Sequence, residues 1–274
     1  MKIIFNGELI EEREANVSIM DKGYFFDFTV YSSVKVVQGK IFFPEYHITR
    51  LFESSKLIGI KHNFSEKEVL SWINKIVEIN KLKDSLLKVL LIGDPDGNDK
   101  VKLFIFQVSG LTYYPDKLYK NGAKVITYNG ERRVPQSKTK DLLMSFLAFR
   151  EAKENEAIDA LLIDRDGNIR EGTRTNFFAI KGKTIFSALD EDVLGGITKK
   201  IVLEVSKKDF DIKHGKIPLA NIKNYDEFFI TSTSMNVMPI KQIDDMVFDT
   251  DFKETKLIAK LFKEYYDKEI FEGS

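Results

Sequence analysis

The chain has 274 residues and no cysteine, and its 42 Lys plus Arg balance 42 Asp plus Glu to a formal net charge of zero. That balance excludes the positive surface field on which non-specific binding to nucleic acid or anionic membrane depends. The missing thiols exclude disulfide frameworks, thiolate metal sites and cysteine nucleophiles.

The first predicted elements are hairpins. Lys2–Phe5 and Leu9-Ile10 flank Asn6-Gly7, and residues 28–37 and 41–43 flank Gln38-Gly39-Lys40. Pro44 opens a helix through HITRLFESSKLIGI. Ser65-x-x-Glu68 is a capping box ahead of Val69, Leu70, Trp72, Ile73, Ile76 and Val77, which fall on one helix face. Two β-rich runs, 87–93 and 101–108, enclose a turn cluster at Asp94–Asp99. Residues 112–122, with Pro115, Gly122 and no periodicity, read as a linker between a domain at 1–111 and one at 123–274.

The second half opens with a strand at 123–128. A helix over 140–155 carries Leu142, Leu143, Phe146, Leu147 and Ala148. Strand Ala160–Ile163, the Asp166-Gly167 turn, a hairpin over 176–186, a helix at 197–208 and a strand at 227–231 follow. A short β segment near 237–248 and an amphipathic helix at 252–267 complete the chain. Helices and strands are mixed in both halves without strict βαβ alternation, so the fold class is α+β. No apolar run approaches the roughly 20 residues that span a bilayer, and the start lacks a signal-peptide core, so the chain reads as cytoplasmic.

Chemistry-bearing motifs are few. The three histidines (47, 62, 214) show no ligand spacing, so no metal site is expected, and no nucleophile elbow, Walker loop or dinucleotide fingerprint occurs. What remains is suited to anions. Gly195-Gly196-Ile197-Thr198 stands at a helix start, where free N–H groups meet the positive end of the helix dipole. Thr231-Ser232-Thr233-Ser234 follows the apolar strand Phe228-Phe229-Ile230. Arginine is scarce, with eight among 42 basic residues, so each marks a place where a planar fork of donors has value.

Four ordered segments resemble fold-type IV pyridoxal-phosphate enzymes: the D-amino-acid and branched-chain aminotransferases and aminodeoxychorismate lyase. They are DKGYFFDFTVYSSVKVVQGKIFFPEYHITRLFESS, ALLIDRDGNIREGTRTNFFAI at 160–180, Gly-Ile-Thr at 196–198 and Thr-Ser-Thr at 231–233. The resemblance implies a two-domain fold, with a small N-terminal α/β domain and a larger β-rich C-terminal domain flanked by helices and carrying the Schiff-base lysine. It also implies pyridoxal 5'-phosphate, a homodimer, and amino-acid and 2-oxo-acid substrates. Arg50, in His-x-x-Arg-Leu, would grip the cofactor phosphate, with Ile197, Thr198, Ser232 and Thr233 completing the cup. Glu171 would face the pyridine nitrogen and keep it protonated. Two lysines compete for the Schiff base, Lys138 and Lys140. Counting back from Glu151-Ala152 selects Lys138.

On the substrate side, Tyr31 matches the family tyrosine that lines the pocket. The usual Gly-Asp-Gly before it reads Asp27-Phe28-Thr29, so Phe28 is expected to reshape one wall. Ile92 stands roughly where a D-aminotransferase offers an arginine to the substrate carboxylate. Arg174, three residues past Glu171, is the expected replacement, with Arg132 and Arg133 as further candidates. The compact length and the Tyr31-x-x-Val-Lys and Thr-Ser-Thr-Ser strings favour transamination of D-amino acids. Branched-chain L-amino acids, or β-elimination to pyruvate by a lyase, are the alternatives.

Overall fold

The computed structural model describes residues 1–98 and 100–272. Asp99, part of the expected turn at 94–99, and residues 273–274 of the expected second domain lie outside the described residues. Contacts gather the chain into two units, Met1–Thr112 with Ser137–Asp141, and Tyr113–Gln136 with Leu142–Ser274.

The first unit holds β1 (Lys2–Phe5), β2 (Glu8–Glu11), α1 (Lys22–Phe25), β3 (Thr29–Val37), β4 (Lys40–Ile41), α2 (Pro44–Leu57), α3 (Glu66–Ile79), β5 (Ser85–Ile92) and β6 (Lys102–Gly110). Its strands form one antiparallel sheet in the order β2-β1-β6-β5-β3-β4. Both expected hairpin turns form, with positive φ at Asn6 and Gly7 and at Gln38 and Gly39, the backbone that matches strand twist. Alternation along β3 and β5 sends Val30, Val34, Val36, Leu87, Val89 and Leu91 into one apolar cluster with Ile48, Leu51, Ile73 and Ile76 of α2 and α3. The Ser65–Glu68 capping box forms as read.

The second unit holds α4 (Asp116–Asn121), β7 (Ala123–Asn129), α5 (Leu143–Glu154), β8 (Ala160–Ile163), β9 (Ile169–Gly172), β10 (Asn176–Lys181), β11 (Thr184–Ser187), α6 (Ile197–Ser206), β12 (Asp211–His214), β13 (Glu227–Ser232), β14 (Asn236–Ile243), β15 (Met246–Val247) and α7 (Lys253–Asp267). Its sheet runs β12-β11-β10-β13-β14-β7-β8-β9, and β9 pairs back onto β10 at Glu171↔Asn176. Six strands thereby close into a ring, and the closure point is the expected cofactor glutamate.

Two stretches differ from the sequence expectation. Residues 112–122 are not a plain linker: α4 forms there, and Tyr114, Leu118 and Tyr119 pack on the second unit's apolar cluster. Those side chains repeat at helical spacing over too few residues to stand out in a window. The expected helix at 140–155 begins at Leu143, because residues 137–141 run extended along β3. Tyr31 N–H donates to the Lys138 carbonyl at 3.0 Å, and Lys140 N–H donates to the Thr29 carbonyl at 2.9 Å. Lys138, expected within 123–274, thus makes its contacts with the first unit.

Candidate active site

In the first unit the site residues hang on β3, α2 and the 137–141 segment. Ser137 Oγ donates to the Ser54 carbonyl at 3.0 Å, and Lys138 N–H donates to Ser54 Oγ at 3.1 Å. With the two bonds to β3, these fix the Lys138 backbone on both sides. Its Nζ lies 4.9 Å from the centre of the Tyr31 ring. Lys140 is placed differently: its Nζ pairs with Asp27 at 2.5 Å and lies 4.9 Å from the centre of the Tyr24 ring.

Arg50 is anchored from the opposite side of β3. Its Nη2 donates to Ser32 Oγ at 3.2 Å, and Ser32 Oγ lies 2.9 Å from His47 Nδ1. His47 is fully buried one turn before Arg50 on α2. Burial first, and the charges of Arg50 and Lys138 second, hold the His47 imidazole well below its ordinary 6.5. A neutral imidazole and a hydroxyl therefore position one edge of the guanidinium.

In the second unit Glu171 ends β9 with 4% of its surface exposed. Leu194 N–H donates to its Oε2 at 3.1 Å, Asn176 Nδ2 lies 3.5 Å from the same oxygen, and Arg132 Nη1 stands 3.6 Å from Oε1. Asn176 also donates to the Leu194 carbonyl at 2.8 Å. The glutamate loop is pinned from below by buried Asp159, which accepts from the Thr173 N–H and the hydroxyls of Thr173 and Thr175. A Cβ on Gly172 would meet Thr175 Oγ1 at 2.1 Å and Asp159 Oδ2 at 2.6 Å, so any side chain there would displace the groups that pin the turn.

Helix α6 starts at Ile197 with Gly196 at its N-cap and no side-chain cap. Thr198 is 2% exposed, and its hydroxyl is buried without a hydrogen bond, as is that of Thr231 at the end of β13. Ser232 Oγ accepts the Met235 N–H at 3.2 Å, and Thr233 is half-buried in the turn that follows.

The structure brings Tyr31 and Lys138 together, and Arg50 onto Ser32 of the same strand. Phe28 precedes β3 and is partly buried. It packs on the apolar cluster of the first unit, where a Cβ on Gly93 would meet its ring at 2.6 Å. Strand alternation puts even-numbered residues here on the core side and Tyr31 on the other. Arg174 is exposed, with its Cζ 3.6 Å from the centre of the Phe149 ring and a hydrogen bond to Tyr114. Arg132, a carboxylate candidate by sequence, stands at Glu171 instead. The positioning roles of Ser32, His47, Ser54 and Asn176 are not legible in the sequence, because a buried hydroxyl, imidazole or amide that holds another group leaves no periodic trace.

The amino-transferase class IV family matches residues 29–243. The chain belongs to the class IV aminotransferases. It is 33% identical to a D-alanine aminotransferase of Bacillus licheniformis over 252 residues, 89% of each chain. It is 27% identical to a putative branched-chain-amino-acid aminotransferase of Methanocaldococcus jannaschii, over 97% of this chain and 95% of that one. The fold is shared with the Escherichia coli branched-chain amino acid aminotransferase, at a TM-score of 0.88 and 20% identity, over 97% of this chain and 94% of that one. This aminotransferase has, among its described residues, no helix long and apolar enough to cross a membrane and no cluster of three or more metal-ligating side chains.

Class IV aminotransferases use pyridoxal 5'-phosphate. The side chains of this chain fit such a group. An uncapped helix start and two buried hydroxyls without partners are what a phosphate would satisfy. A buried carboxylate held by a backbone N–H, an amide and a guanidinium suits a protonated ring nitrogen.

Proposed function

We propose that this aminotransferase moves the amino group of a D-amino acid to a 2-oxo acid in a ping-pong sequence. The observation that carries the preference is the 33% identity to a D-alanine aminotransferase, against 27% to the branched-chain relative. The longer span of the branched-chain match, 97% of the chain against 89%, favours branched-chain L-amino acids as the second reading.

Pyridoxal 5'-phosphate, when bound, supplies an aldehyde that takes up the amino group and a ring that spreads the electrons released at the substrate α-carbon. Lys138 Nζ is the amine that holds that aldehyde between turnovers and moves the α-proton. Glu171 keeps a proton on the ring nitrogen. Arg50 offers its fork to the phosphate, and the Ile197 and Thr198 N–H groups, the Thr198 hydroxyl, Ser232 and Thr233 complete that grip. Tyr31 borders the reacting carbon. The family resemblance supports a homodimer, which light scattering after size exclusion tests.

Single amino acids added without an acceptor, to protein loaded with pyridoxal 5'-phosphate, test the reading by absorbance. D-Alanine or D-glutamate should bleach the bound-cofactor band while L-leucine leaves it. Bleaching by L-leucine alone would transfer the assignment to branched-chain substrates, and pyruvate release without an acceptor would identify a lyase. Lys138→Ala should lower turnover by about 10³-fold or more with unchanged circular dichroism, whereas Lys140→Ala should retain most of it.

A further inference from the structure

Tyr31, Ser33 and Lys35 of β3 share one face of the first unit's sheet, and the register Tyr31↔Leu90, Ser33↔Lys88 sets Lys88 of β5 on that same face. Lys88 Nζ donates to Ser33 Oγ at 2.7 Å and lies 4.3 Å from the centre of the Tyr31 ring. Lys138 Nζ lies 4.9 Å from the centre of that ring. One tyrosine ring therefore sits beside two ammonium groups, and the transamination chemistry proposed above uses only one.

The surroundings of Lys88 are unusual for a structural lysine. Its side chain is largely buried, and among the described residues its nitrogen meets a hydroxyl and an aromatic ring but no carboxylate. Burial alone pushes its pKa down to about 8. Removing an ammonium from water without an anionic partner is unfavourable, and a lysine with only a packing role would reach its head out to solvent. A site that keeps such a cation gains when an anion arrives, since the desolvation is already spent and a charge-assisted hydrogen bond forms in a low dielectric.

The amino-acid and 2-oxo-acid substrates proposed above bring that anion, because each carries at least one carboxylate. We propose that Lys88, assisted by Ser33, receives a carboxylate of the substrate whose reacting carbon faces Lys138. This rests on the transamination reading. Arg174, the arginine that the sequence favours for the task, is exposed and already engaged with Phe149 and Tyr114.

The test uses Lys88→Met, which keeps the unbranched side chain to within one atom of its length and removes the charge, with Lys88→Arg, Ser33→Ala and Arg174→Ala beside it. KM and kcat are measured for D-alanine, D-glutamate, L-leucine and L-glutamate, and the heats of propionate and glutarate binding are measured by titration calorimetry. Lys88→Met should raise KM about 10- to 100-fold, change kcat little, and abolish the carboxylate heat, with Lys88→Arg restoring part of both. An equal rise for all four amino acids assigns Lys88 to the α-carboxylate. A rise confined to the glutamates assigns it to the distal one. Wild-type KM values and heats in Lys88→Met, or their loss in Arg174→Ala alone, overturn the proposal. Should the wild-type protein turn over none of the amino acids, the transamination reading fails. The calorimetry then still decides the subsite, and absence of carboxylate heat in the wild-type protein also overturns it.

Discussion

At the scale of single residues, the charged groups proposed for the cofactor are held, each within its own unit, in part by neutral neighbours. Arg50 is positioned by Ser32 and His47, and Glu171 by a backbone N–H and Asn176, with Arg132 beside it. Neutral positioning groups fix geometry without cancelling the charge they hold. Glu171→Gln keeps the shape and removes the charge that protonates a ring nitrogen. Its kcat should fall about 10²-fold or more, while urea unfolding changes by less than about 2 kcal/mol. A kcat near the wild-type value would mean that Glu171 serves the fold and not the cofactor. Lys138 and Lys140 could not be separated by composition or local pattern, only by counting along a resemblance. The structure distinguishes their settings physically: one ammonium sits at Tyr31, the other is paired with Asp27.

At the scale of elements, α6 carries the sharpest expectation. The Thr198 hydroxyl is buried without a partner, so Thr198→Val should leave stability unchanged or slightly higher. The same variant should weaken pyridoxal 5'-phosphate binding about tenfold, measured by fluorescence titration of the apoprotein. Gly196→Ala probes the element differently: its Cβ would meet Asn176 Oδ1 at 1.9 Å and displace the amide that holds the Leu194 carbonyl. That variant should lose both cofactor affinity and stability. The helix start at Gly196-Ile197 was legible because glycines, a hydroxyl and a following apolar period coincide there. Strand β12 (Asp211–His214) was not, because it pairs along one edge only, mostly exposed, and alternation needs a buried face to be seen. Helix α4 was hidden by its shortness, since six residues give fewer than two turns of pattern.

At the scale of the whole chain, the sequence offers a boundary only as a lack of periodicity over 112–122, and it gives no sign of the return of residues 137–141 to β3. That return is a backbone pairing between segments about a hundred residues apart, and extended residues with mixed polarity carry no mark of their partner. It brings Lys138 to Tyr31. In the same unit, burial holds His47 and Lys88 below their ordinary pKa values, so their charging is unfavourable in the folded state. Global stability should register both. His47 has a folded pKa well below 6.5, so as pH falls through 6.5 the unfolded chain binds a proton that the folded one refuses, and stability declines. Lys88 acts with the same sign at the alkaline end. Between about 8 and 10.5 only the unfolded chain keeps its proton, so stability rises with pH across that window. Tyr31, Lys35 and Lys138 share its surroundings and stay in place in the variant, so a comparison with Lys88→Met isolates the one group. Lys88→Met should be more stable than the wild-type protein below pH 8, by at most about 3 kcal/mol, with the advantage fading as pH approaches 10.5. His47→Gln should flatten the acid limb by up to about 1.4 kcal/mol per pH unit. Urea unfolding from pH 5 to 10.5 measures both. Curves that stay parallel to the wild type at either end would mean that the corresponding base is charged, and solvated, in the folded protein.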